Sequence, residues 1–85
     1  MKTIEELETC ASRINRRIQK ENESILAIRE QLIRSLQHPS TNTFSIACDV
    51  EVAHKRMQAA LAEIDALNRE LSAYNEAIAI LADCA

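Results

Sequence analysis

Apolar side chains recur through the first half of the chain in a three-four alternation: Ile4, Leu7, Ala11, Ile14, Ile18, then Ile25, Ile28 and Leu32. Glu21 and Ser35 are the two polar residues on the same series. This spacing lays one stripe along one side of a long helix, the pattern of a helix packed on a single partner helix. Leu26, Ile33 and Leu36 lie beside the stripe and widen the apolar face toward its end. A second series is more regular still. Val50, Ala53, Met57, Ala60, Ile64, Leu67, Leu71, Tyr74, Ile78 and Leu81 follow one another at the same spacing without a charged residue among them.

Between the two series stands LQHPSTNTFSI. Pro39 disfavours helical geometry at His38 and stops the first helix near Leu36 or Gln37. Ser40, Thr41, Asn42 and Thr43 are turn and cap formers. Ser45 is the expected N-cap of the second helix, with Asp49 favourable near its positive end. Phe44 is expected to plug the apolar end of the hairpin, or else to serve as an exposed anchor. The reading is all-α: a single domain over residues 1–85, with a helix over about 3–37, a loop over about 38–45 and a helix over about 46–83. So short a connection makes the helices antiparallel neighbours, a helical hairpin that completes a bundle with a partner or a second copy.

The second helix carries more than its seam. Val52, Ala59, Ala66, Ala73 and Ile80 also recur every seven residues and point well away from the seam. Alanine favours helix wherever it stands, but propensity does not explain a Val and an Ile closing the two ends of the row. Small side chains let a partner backbone approach closely. The expected partner-binding set is therefore this row, assisted by Leu26, Ile33 and Leu36, which are expected to point the same way. Glu21 reads as a solvated defect in the first seam, because a carboxylate buried without a partner is costly.

Composition supports helices and little else. The chain has no glycine and one proline, which leaves few residues for tight turns. At 85 residues the core is thin, and oligomerisation is one usual remedy. A net charge of −3 gives no general attraction to nucleic acid. No apolar run approaches a membrane span, and the acidic start MKTIEELETC is unlike a secretory signal. A cytoplasmic protein is expected.

Candidate chemistry is sparse. Cys10, Cys48 and Cys84 form no CxxC and no zinc-like spacing with the histidines. His54 can meet Glu51 or Gln58 on an open helix surface, a solvated arrangement, and Glu21 lacks an ExxH partner. Neither an enzyme nor a metal, cofactor or small-molecule site is expected. Arg13, Arg16, Arg17 and Lys20 crowd about two turns and could touch phosphates or steer an acidic protein. That leaves a nucleic-acid-associated helical protein as the weakest of three readings, behind a protein-binding module and a homodimeric four-helix-bundle structural or regulatory protein.

The segment LSAYNEAIAIL and the opening IEELE resemble the small E-type co-chaperones of type III secretion needle subunits. The resemblance extends to total size and hairpin layout; the long second helix and the connection of about eight residues depart from the shorter members. It implies a cytoplasmic chaperone that holds a helical partner, with Leu71, Tyr74, Ile78 and Leu81 in the hairpin seam or its partner contact.

Overall fold

The computed structural model describes residues 3–38 and 42–84. Two helices account for nearly all of them, α1 over Ile4–Gln37 and α2 over Thr43–Cys84. At 1.5 Å per residue the longer helix spans about 63 Å, and the molecule measures 64 × 16 × 15 Å. It is an extended antiparallel hairpin of one helix against the other.

Both helices are capped by side chains from their own sequence. Thr3 has extended geometry and its hydroxyl accepts from the Glu6 amide at 3.2 Å, with Glu5 and Glu6 placed favourably in the first turn. At the other end His38 is extended, as expected of a residue before proline, and its amide reaches back to the Ser35 carbonyl.

The start of α2 differs from expectation. Helix begins at Thr43, and Asn42 is the cap: its side-chain oxygen accepts from the Ser45 amide at 2.8 Å, while its carbonyl accepts from Ile46. Asparagine caps at least as well as serine, and capping from Asn42 gains three more helical residues. Ser45 is thus inside the first turn. Asp49 lies beyond that turn and instead accepts a hydrogen bond from the Ser35 hydroxyl across the hairpin.

The heptad series meet in one seam. Leu7, Ala11 and Ile14 of α1 and Ala53, Ala60 and Leu67 of α2 are buried. Most remaining members of the two stripes are half-buried, Glu21 among them. Val50, expected in the seam, is exposed, while Asp49 beside it is half-buried. Asp49, bonded to Ser35, faces α1 at this level of the hairpin. Phe44 does not plug the end of the seam: it is 79% exposed.

The alternation also fixes the flanks. With Ile4 and Val50 at heptad position a, the seam is a and d. In an antiparallel pair, g positions of both helices border one side of the seam and e positions the other. Arg17 of α1 and Glu63 of α2, both at g, meet at 2.8 Å across the first border.

Candidate protein-binding surfaces

On the border marked by Arg17 and Glu63, the seam is not filled. Two open cavities of about 310 and 630 Å³ share Ile28, Gln31 and Arg56 and run together as one groove. Its cause is legible in the side chains. Ala53 and Ala60 on the α2 wall are too small to reach the space beside Ser35 and Glu21 of α1, whose polar groups do not close it. Val52 and Ala59 form the outer α2 wall, and Ala27 stands on the α1 side. The row from Val52 to Ile80 continues along this flank, and all five members are exposed.

Leu26, Ile33 and Leu36 are on the other flank. They occupy b and e positions, whereas the alanine row occupies c, so the seam stands between the two sets. The groove contains Ala27, the next residue along, but none of these three. The expectation that all eight point the same way is corrected by the antiparallel geometry: a flank shared in a parallel pair is split in an antiparallel one. The eight residues belong to two surfaces.

This second surface is the more apolar at the loop end. Leu26 is 58% exposed, and Phe44 and Leu61, at b and e of α2, join it with Ile33 and Leu36. Five of the large exposed apolar side chains thus share one flank of the loop-end half. Isolated apolar residues are ordinary on a surface, so five on one flank make it a candidate contact surface. Phe44 and Leu61 were not in the expected set. Their signal was present as a second three-four series, in which Phe44, Ala47 and Leu61 alternate with polar residues.

No family model, curated protein or solved structure matches this chain.

The charged residues make local pairs. Arg34 meets Glu30, Lys55 meets Glu51, and Arg69 meets Asp65, each one turn apart on its own helix. Glu51, a candidate partner of His54, is therefore engaged by Lys55 at 3.1 Å. Arg17 leaves the basic cluster to bridge to Glu63, while Arg13, Arg16 and Lys20 are exposed. Such exposed pairs contribute between nothing and about 1 kcal/mol each. None of the three cysteines is in a disulfide; Cys10 is half-buried, and Cys48 and Cys84 are exposed. Among the described residues no group of three His, Cys, Asp or Glu side chains is arranged to hold a metal. No helix among them is long and apolar enough to cross a membrane.

Proposed function

We propose that the protein is a non-catalytic binding module, a small cytoplasmic chaperone or co-chaperone of a helical partner in type III secretion. The observation that supports it best is the open groove walled by Val52 and Ala59, from which the exposed row runs on through Ala66 and Ala73 to Ile80. A partner helix seated there covers the groove and buries the row, gaining roughly 25 cal/mol per Å² of apolar surface removed from water. Small side chains permit the close approach, and Val52 and Ile80 bracket its two ends. Arg13, Arg17 and Lys20 lie at c and g of α1, on this same flank, and suit a partner with acidic residues along one edge. The secretion context rests on the resemblance of IEELE and LSAYNEAIAIL to the E-type co-chaperones.

Co-expression tests this reading. A needle-forming subunit of a type III system should remain soluble and co-purify with the wild-type hairpin. With Ala66→Glu it should precipitate, while the hairpin retains its helical circular dichroism. A subunit equally soluble and equally bound with either hairpin overturns the proposal.

A further inference from the structure

The flank opposite the groove has a composition of its own. Its b and e positions run Glu5, Glu8, Ser12, Asn15, Gln19, Asn22, Leu26, Arg29, Ile33 and Leu36 on α1, and every one of them is exposed. On α2 the same flank carries Phe44, Ala47, Leu61, Asn68, Asn75 and Ala82, together with the charged Glu51 and Asp65. The asparagines within the helices, Asn15, Asn22, Asn68 and Asn75, all fall at e. Asparagine is a poor residue for a helix interior, so its repetition at one heptad position on both helices calls for a cause outside the helix. A row of asparagines beside a group of Leu, Ile and Phe is a combination found at protein interfaces, where apolar and hydrogen-bonding side chains mix. A polar residue in a helical seam also fixes register.

We propose that this flank receives a second copy of the chain, forming a four-helix bundle with both loops at the same end and α1 of each copy lying on α2 of the other. Position e is about a quarter-turn from the seam, the angle between the two contacts that each helix makes in such a bundle. The b positions, with Leu26, Ile33 and Phe44, lie about a third of a turn from the seam and border that contact beside e. The full face, roughly 1,000 Å² from the molecular dimensions, exceeds the ~800 Å² per partner of a standard interface.

Charge and polarity decide the orientation. Two bonds across the hairpin, Ser35 to Asp49 and Arg17 to Glu63, set which levels of α1 and α2 correspond. With the loops together, Leu36 comes level with Phe44 of the second copy, Ile33 with Ala47, and Asn15 with Asn68. Arg29 comes level with Glu51, an opposite-charge pair made twice by the symmetry. With the loops apart, Leu26, Ile33 and Leu36 would lie against the end carrying Glu5 and Glu8, and the apolar half of the face would be matched to its polar half. The first orientation sets Leu36 and Ile33 on Phe44 and Ala47, brings Leu26 and Leu61 level with uncharged polar residues such as Gln58 and Asn22, and keeps all of them away from Glu5 and Glu8.

The surface does not depend on the chaperone reading, because the groove is on the other flank. Light scattering with concentration varied should give a dimer mass for the wild-type chain. Leu61→Glu should raise the dimer dissociation constant at least 100-fold, while Ala66→Glu leaves it unchanged. Since a poorly folded Leu61→Glu chain would also fail to dimerise, a charge exchange provides the second arm. Arg29→Glu should weaken the dimer several-fold, and adding Glu51→Arg should restore it. Spin labels on Cys48, with Cys10→Ser and Cys84→Ser, report the orientation. Loops together places them within about 30 Å, and loops apart at about 40–50 Å along the bundle. A monomer at every concentration, a dimer indifferent to Leu61→Glu and to the charge exchange, or the longer distance overturns the proposal.

Discussion

Leu67→Ala tests the seam at its most buried point. Leu67 retains 2% of its accessible surface, less than any other buried apolar residue of the hairpin. Truncation removes three carbon atoms from a site that two straight helices cannot collapse to refill. The lost transfer free energy and the cavity together cost about 2–5 kcal/mol in comparable cores. An 85-residue chain has a total stability of about 4–13 kcal/mol. The substitution therefore removes a large share of it.

The assay is urea unfolding followed by helical circular dichroism, with chain concentration held equal across variants so that any association is a common term. The midpoint should fall by at least about 1 M with the slope unchanged, since slopes for small domains are about 1–3 kcal/mol per M. Val52→Ala is the comparator. Val52 is 55% exposed, and its truncation should cost well under about 1 kcal/mol. Equal losses for the two variants, or a loss below about 1 kcal/mol for Leu67→Ala, would refute the placement of the seam.

Asn42→Ala should lower stability by about 1 kcal/mol, because two independent bonds identify it as the α2 cap; Ser45→Ala should be close to neutral by the same unfolding measurement. Glu21→Leu should raise the thermal midpoint by several degrees, replacing a half-buried carboxylate beside the groove with a side chain that fills it. A double-mutant cycle on Arg17 and Glu63 should give a coupling below about 1 kcal/mol that fades between low and high salt, as fits a pair whose side chains are mostly in water. A large, salt-independent coupling would mean that this border of the seam is closed to solvent.

The three-four spacing was enough to place the seam, because side-chain period and helix geometry are tied to each other and need no tertiary information. Leu7, Ile14 and Leu67 are buried where that spacing puts them. The cap was a closer contest. Asn42 and Ser45 are both good caps, and the choice turns on which start lets the remaining donors be satisfied, a property of the whole first turn rather than of either residue. Phe44 illustrates a different limit. An aromatic next to a helix start is drawn inward by transfer free energy, but one turn of backbone fixes its azimuth, and the earlier start at Thr43 put that azimuth on the outer flank.

The division of the expected partner-binding residues into two surfaces follows from one further fact, the direction in which α2 returns. Leu26 and Ala59 have no relation in the sequence until the hairpin is closed; antiparallel closure then pairs g with g and e with e. After that step the alanines border the groove and the leucines border the asparagine series. The bundle predicted from the apolar excess is thus given two available sides with different chemistry. One is small-sided and grooved beside basic residues. The other is apolar at the loop end and polar, with Glu5 and Glu8, toward the termini. A face of the second kind brings its apolar loop end onto the same end of a copy, and away from Glu5 and Glu8, only when the loops coincide, so occupancy and orientation are tied to a single test.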